Sequence, residues 1–247
     1  MPAQLTIVIP AKNEFHYLPT LLTSLNRQDY PHLRDTKVYV ADADSTDGTP
    51  DVARQFAAKF PLAVIPGGLP AAGRNAGARL ATTPYILFLD ADVELPDRTL
   101  LRRAMSTAQQ RHLHCLTTDI ACPQGSYADC TLFAMNNLVQ RASRWLSPFA
   151  TGMFMLFDTA KFRRLGGFNE RALYAEDYLL SSQVARKRFA VVPGCVHTSS
   201  RRFRSMGHAR IAHMFLRTAL NSRNPQYFLR DQGYWKRPVS AQFIRNN

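Results

Sequence analysis

Two aspartates one residue apart, Asp90 and Asp92, follow directly on the apolar run Tyr85-Ile-Leu-Phe-Leu89. On an extended backbone, positions i and i+2 face the same way, so both carboxylates can reach one locus. Hard divalent cations such as Mg2+ and Mn2+ take one or two carboxylates in this manner, with substrate phosphates and water completing the shell. The same pair also suits a solvated turn in which an aspartate caps the next helix. Asp42 is the first polar residue after the run Lys37-Val-Tyr-Val-Ala41, where its carboxylate could accept an N–H from a purine or pyrimidine ring. Arg74 lies in the glycine-rich stretch Gly67-Gly68-Leu-Pro-Ala-Ala-Gly73-Arg74-Asn75-Ala-Gly77. Its planar guanidinium can bind a phosphate or a base, and it can equally be a cation on a helix surface. Ser45, Thr46, Asp47 and Gly48 read as turn and cap residues.

These residues need elements to hold them, and the first half of the chain alternates strand and helix. Leu5-Thr-Ile-Val-Ile-Pro10 is a short β-rich run, and Leu18, Leu21, Leu22 and Leu25 then recur as one helix face. Lys37–Ala41 is a second strand, followed by a helix with Thr49 as cap and Pro50 at its first position. A third strand at Leu62–Ile65, a helix over 71–82 and a fourth strand at Tyr85–Leu89 complete the pattern. Such alternation implies right-handed crossovers and a mostly parallel sheet, in which ligands gather at the carboxyl ends of the strands. Those ends carry Pro10-Ala-Lys-Asn13-Glu14, Asp42-Ala-Asp44 and Asp90-Ala91-Asp92, with no phosphate loop and no dinucleotide glycine fingerprint.

With 247 residues, 46% of them hydrophobic and 20% charged, the chain suits one large α/β domain or two small ones, not a disordered or fibrous protein. The net charge of +13 points to an anionic partner. It is unevenly placed: residues 1–140 hold 12 basic and 13 acidic side chains, residues 141–247 hold 19 and 5. Cys115, Cys122, Cys130 and Cys195 show neither zinc spacing nor a disulfide framework, which points to a reducing, cytoplasmic setting. No signal peptide is expected at the start, and the apolar stretch from Phe149 to Phe157 is too short to span a bilayer.

The ordered set "VIPAKNE", "VADADSTDGT", "GRNAGARLA", "LFLDADVELP", "TGMFML", "LGGFNE" and "AEDYLLSSQVARK" resembles the family 2 glycosyltransferases of GT-A fold across roughly residues 5–200. The resemblance implies an α/β GT-A fold with a mostly parallel central sheet flanked by helices. It implies an inverting enzyme that moves a sugar from a nucleotide-sugar, a UDP-sugar first, to an acceptor. Pro10, Asn13, Glu14, Asp42, Arg74, Asp90 and Ala91 would contact the donor, with Asp42 and Arg74 at the base or ribose. Asp92 would be the principal ligand of Mn2+ or Mg2+, with Asp90 beside it and His197 as a further ligand; Arg202, with Arg201 before it, would bind the diphosphate. Asp177 of Glu176-Asp177 resembles the family's base, with Glu176 as the second choice; otherwise the two are acids at a helix start ahead of Leu179, Leu180 and Val184. Gly166-Gly167-Phe168 resembles the turn beside the acceptor pocket. Processive synthases carry a QxxRW motif, whereas Gln183-Val-Ala-Arg186-Lys187 lacks the tryptophan, so single transfer is expected.

The expected organisation is a glycosyltransferase domain over 1–200, with the nucleotide-sugar side in 1–100 and the acceptor side in 101–200. A basic C-terminal extension over 201–247 follows, holding ten basic side chains and one acid, Asp231. A helix between Met206 and Arg223 would put Ile211, Met214, Phe215 and Ala219 on one face, opposite Arg210, His213 and Arg217. With Tyr227, Phe228, Tyr234 and Trp235 among Arg230, Lys236 and Arg237, residues 204–247 suit an anionic membrane surface, or a helix packed on the core. The expected acceptor is a hydroxyl on a lipid-linked molecule or a glycan, the expected place the cytoplasmic membrane face, and no nucleic-acid partner is expected. Three rival readings remain: transfer to a polyprenyl phosphate, nucleotidyl transfer on a related fold, and a basic binding protein without catalysis.

Overall fold

The computed structural model describes residues 3–222 and 224–230. The first half runs β1 (Leu5–Ala11), α1 (Leu18–Asn26), β2 (Lys37–Asp42), α2 (Thr49–Arg54), β3 (Leu62–Pro66), α3 (Pro70–Leu80) and β4 (Tyr85–Leu89). After it come β5 (Val93–Glu94), α4 (Leu100–Gln110), β6 (Cys115–Ala121), α5 (Tyr127–Ser143), β7 (Phe154–Asp158) and α6 (Thr159–Arg164). The remainder is α7 (Glu176–Ser181), β8 (Phe189–Thr198), α8 (Arg201–Met206), α9 (His208–Leu220) and α10 (Pro225–Phe228).

Among the described residues, eight strands form one sheet in the order β3-β2-β1-β4-β7-β6-β8-β5. From β3 to β4 every pairing is parallel, as the alternation predicts. Beyond β4 the sheet is mixed: β7 is antiparallel to β4 and β6, β6 is parallel to β8, and β5 is antiparallel to β8. The reason lies in α5. The chain leaves β6 at the carboxyl end of the sheet and enters β7 at Phe154, opposite Leu89, so β7 must run downward.

Apolar periodicity does its expected work in the first half. Leu18, Leu21, Leu22 and Leu25 of α1 are all fully buried. On α3 the small residue Gly77 faces Val8 of β1, and a Cβ there would overlap the valine side chain, so glycine is what lets this helix approach the sheet. The cap of α2 lies one residue earlier than expected: Gly48 is the cap, and Thr49, already helical, gives both its N–H and its hydroxyl to Asp47 Oδ1.

Of the two readings of the C-terminal helix, Ile211 and Met214 follow the one packed on the core. Ile211 and Met214 are buried in the protein, not turned outward, whereas Phe215 is 44% exposed and Ala219 is also exposed. Phe203 of α8 meets Phe133 of α5 at 5.1 Å, and His208 Nε2 lies 2.8 Å from Asp129 Oδ1 at the start of α5. Through residue 230, therefore, the expected extension packs on the α/β body. Tyr234, Trp235, Lys236 and Arg237 lie outside the described residues. Among the described residues, no helix is long and apolar enough to cross a membrane.

Candidate active site

The carboxyl ends of β1, β2 and β4 lie side by side, and backbone bonds to side chains lock their loops together. Asn13, with φ 54°, donates its N–H to Ser45 Oγ at 2.8 Å and accepts from Thr46 N at 2.9 Å. Asparagine tolerates this left-handed backbone better than most residues. Asn13, expected at the donor, thus braces the loop that follows β2. Asp42 Oδ2 accepts from Ser45 N at 3.0 Å, while its Oδ1 is buried with no partner. A buried acceptor without a donor is costly, and a ring N–H from a nucleotide base would satisfy it. Pro10 lies in β1 opposite Ala41, half-buried, and Ala91 is buried between the two aspartates.

Arg74 is not a surface cation. It is 3% exposed, and its two terminal nitrogens bond Glu176 Oε1 at 2.5 Å and Asp90 Oδ1 at 2.6 Å. Burial works against its charge, but the carboxylates of Asp90 and Glu176 outweigh that and hold its pKa above the usual value. Expected as a base or ribose contact, Arg74 ties Asp90 to Glu176 at the start of α7. The next residue repeats the link: Asn75 bonds the backbone of Phe168 on both sides, at 2.8 and 3.0 Å, and so holds the Gly166–Phe168 turn.

Gly152 explains the glycine of "TGMFML". Its N–H bonds Asp177 Oδ2 at 2.8 Å, and a Cβ there would sit 2.8 Å from the central guanidinium carbon of Arg74. Gly152→Ala should therefore push Arg74 off its partners, destabilising the protein by about 1–3 kcal/mol, as overpacking does. Thermal melting and turnover should both fall for this one added methyl group, and an unchanged melt would show that Arg74 has room to move.

At the start of α7 the two acids take different roles. Ala175 caps the helix in a left-handed conformation, φ 52°, a strained setting for a residue with a Cβ. Glu176 is turned inward onto Arg74 and buried, which removes it from the candidate bases. Asp177 is half-buried, accepting from Gly152 N and from Tyr178 N at 2.8 Å. Burial, then the neighbouring charge of Glu176, pushes its pKa up to about 7, against the pull of Arg74. A carboxyl that loses its proton near neutrality is suited to accept one from a substrate.

Asp92, Glu14 and Arg201 form the other wall. Arg201 reaches from α8 to Glu14 Oε1 at 2.8 Å and to Asp92 Oδ2 at 3.0 Å, with its guanidinium 4.6 Å from the centre of the Tyr17 ring. Burial raises the pKa of both acids, partly offset by Arg201. Arg202, expected at the diphosphate, is near enough for its charge to act on Asp92. His197 faces Glu94 at 4.0 Å and does not join Asp90 and Asp92 in one ligand set; among the described residues no three such side chains converge. Two carboxylates with phosphate oxygens still satisfy a hard cation, and the crowding of Asp90 and Asp92 is a charge such a cation relieves. The aspartate pair fits a divalent metal, and His197 is not needed for it.

Residues 6–166 match the sequence model of the family described as Glycosyl transferase family 2. The chain belongs to this family. Among its relatives, validoxylamine A glucosyltransferase of Streptomyces hygroscopicus subsp. jinggangensis is 39% identical over 93 residues, 36% of this chain and 22% of that protein. Succinoglycan biosynthesis protein ExoA of Rhizobium meliloti is 26% identical over 75% of this chain and 59% of its own. Matched segments cover only about a fifth of the first curated relatives. The fold is shared with mannosyltransferase PcManGT of Pyrobaculum calidifontis, in complex with GDP-Man and Mn2+, at TM-score 0.70 and 23% identity, covering 91% of this chain and 65% of that one. S. aureus TarS 1-349 in complex with UDP-GlcNAc gives 0.63 at 22% identity, covering 79% and 58%.

Within this family 2 fold, Asp90 after β4 and Glu176 of α7 meet through Arg74, and Asp92 meets Glu14 through Arg201. Sequence reasoning missed the ties of Arg201 to Glu14 and Asp92 and the bridging role of Arg74. A doublet of arginines after β8 was the one signal available for the first.

Proposed function

We propose that this chain transfers a sugar, with inversion and one sugar per encounter, from a nucleotide-sugar to a hydroxyl acceptor. The observation that carries this reading is Asp177: half-buried, held by two backbone N–H groups, easily protonated near neutrality, and joined through Glu176 and Arg74 to Asp90. An acceptor hydroxyl is a poor nucleophile and needs a base, which Asp177 supplies by taking its proton. Attack on the face opposite the leaving nucleotide inverts the sugar carbon. Asp42 Oδ1 accepts from the nucleotide base, and Arg201 and Arg202 turn toward the diphosphate. Asp92 and Asp90 hold a divalent cation, whose chemistry is to offset the charge growing on the departing diphosphate.

The donors seen with the fold's neighbours, UDP-GlcNAc and GDP-Man, support the donor class, and a UDP-sugar is the first to test. A hydroxyl acceptor on a polymer is supported by relatives such as the poly(ribitol-phosphate) beta-glucosyltransferase of Bacillus spizizenii. An ionised phosphate acceptor would leave Asp177 without a task. The excess of positive charge after residue 140 supports work at the cytoplasmic face of an anionic membrane.

Release of nucleoside diphosphate from UDP-, GDP- and dTDP-sugars with Mn2+ tests the reading. Sugar-nucleotide turnover is expected; pyrophosphate release from a nucleoside triphosphate would replace it with nucleotidyl transfer. Asp92→Asn should lower turnover about 100- to 1000-fold, the effect of losing one group that stabilises transition-state charge, with little change in the melt. Full activity of the wild type in EDTA would remove the metal from the account.

A further inference from the structure

The side of α5 opposite buried Phe133 and Gln140 has no task in the site or the core. Between Tyr127 and Ala142 that side carries no charge, and it exposes Met135, Leu138 and Val139, with Leu138 69% exposed. Just past the helix, Trp145 and Leu146 are 67% and 75% exposed. Apolar surface this continuous on a protein's outside marks a place where something docks. The single acid of α5, Asp129, is buried against His208 and its own capping partner Ser126.

The charges around this face are mostly basic, Asp119 beneath Arg141 being the acid at its rim. No Asp or Glu occurs from residue 130 to 157, nor from 178 to 230. Arg141 flanks the face, answering Asp119, and the Arg144 guanidinium lies 4.4 Å above the Trp145 ring. On the neighbouring α9, Arg210 and Arg217 accompany exposed Phe215, Leu216 and Leu220. A second copy seated here would set arginine against arginine. An apolar helix face with an edge tryptophan and a rim of arginines matches instead a bilayer whose headgroups are anionic.

We propose that the outward face of α5, with Trp145 and Leu146, is the surface that lies in an anionic lipid bilayer. It deepens the membrane reading above, moving its seat from residues 204–247 to α5, and it is independent of the sugar-transfer chemistry. Since β7 starts at the carboxyl end of the sheet immediately after this segment, a membrane-seated α5 would hold the site's edge near the lipid.

The test uses the full chain without donor. With Trp235→Phe, Trp145 is the single tryptophan of the protein. On phosphatidylcholine vesicles containing phosphatidylglycerol, Trp145 emission should move to the blue, resist acrylamide quenching, and report co-sedimentation that weakens but survives in high salt. Leu138→Glu with Val139→Glu should lower this partitioning about tenfold or more, while the thermal melt and donor affinity stay as in the parent, since both side chains are exposed. Arg144→Glu should lower it while Met135, Leu138, Val139 and Leu146 stay in place. Equal binding to pure phosphatidylcholine vesicles, binding to neither, or binding unchanged in the Leu138/Val139 variant would overturn the proposal. So would loss of binding only on substitution of Arg210 and Arg217. Trp145 that is already blue and shielded without vesicles would show that a second copy or the chain itself covers the face, and would overturn it too. Failure of sugar-nucleotide turnover with vesicle binding intact would count against the proposed reaction alone.

Discussion

Arg74→Met is expected to remove both stability and turnover. Methionine matches the aliphatic stem of arginine but leaves Asp90 and Glu176 facing each other without a cation. Breaking a buried ion pair from one side costs about 3–5 kcal/mol, because the remaining charge must be neutralised or exposed. For a chain of this size each kcal/mol corresponds to about 2–4 °C, so the melting midpoint should fall by about 10 °C. Much of that loss comes from the stranded Glu176, so Arg74→Met with Glu176→Gln should recover a large part of it. Turnover should not recover in the pair, because nothing would then join Asp90 to α7, the helix that carries Asp177. Arg74→Lys should also fail as a substitute: one ammonium replaces a planar fork that meets two carboxylates at once. Thermal melts of the single and double variants, set beside nucleotide release, separate the two effects. A melt of Arg74→Met within a degree of wild type would show that the bridge holds nothing together.

Asp177→Asn should lower turnover by about 100- to 10,000-fold, the range a general base supplies, while donor affinity changes little. Asparagine keeps the size and one acceptor, but it cannot take a proton. It also turns an N–H2 group toward either Gly152 N or Tyr178 N, so some loss of stability accompanies it. The pH dependence of stability isolates the charge from that loss. Because its pKa is raised in the folded protein, Asp177 contributes stability that is complete below the unfolded value near 4 and is lost as pH rises through about 7. Wild type should lose stability relative to Asp177→Asn across that interval, whatever the offset between them. Parallel stability curves would mean that Asp177 is charged throughout, and its fitness as a base would go with that.

Much of the fold was legible because it is written in local pattern. The four leading strands and the leucine face of α1 rest on alternation and on i, i+3, i+4, i+7 spacing, and those survive folding intact. The aspartates after β2 and β4 were legible for the same reason, as polar breaks at strand ends. The direction of β7 was not, since it depends on which end of the sheet α5 returns to. Nor were the partners of the arginines. Arg74 bonds a residue 102 positions away and Arg201 one 187 positions away, and a cation in isolation looks alike whether it will face water or carboxylates. Ile211 and Met214 show the converse case: an amphipathic helix announces one apolar face but not whether lipid or protein receives it.

The central claim is that Asp177, poised by burial and by Glu176, takes the proton from the acceptor. The most direct measurement is the rate of nucleoside diphosphate release from a turned-over sugar nucleotide as a function of pH, with water or the acceptor as nucleophile. The account predicts a rate that rises with pH and levels off above about 7, as Asp177 loses its proton. In Asp177→Asn that rise should vanish, leaving a low and flat profile. A wild-type rate already constant from pH 5 upward, or one whose rise persists in Asp177→Asn, would contradict it.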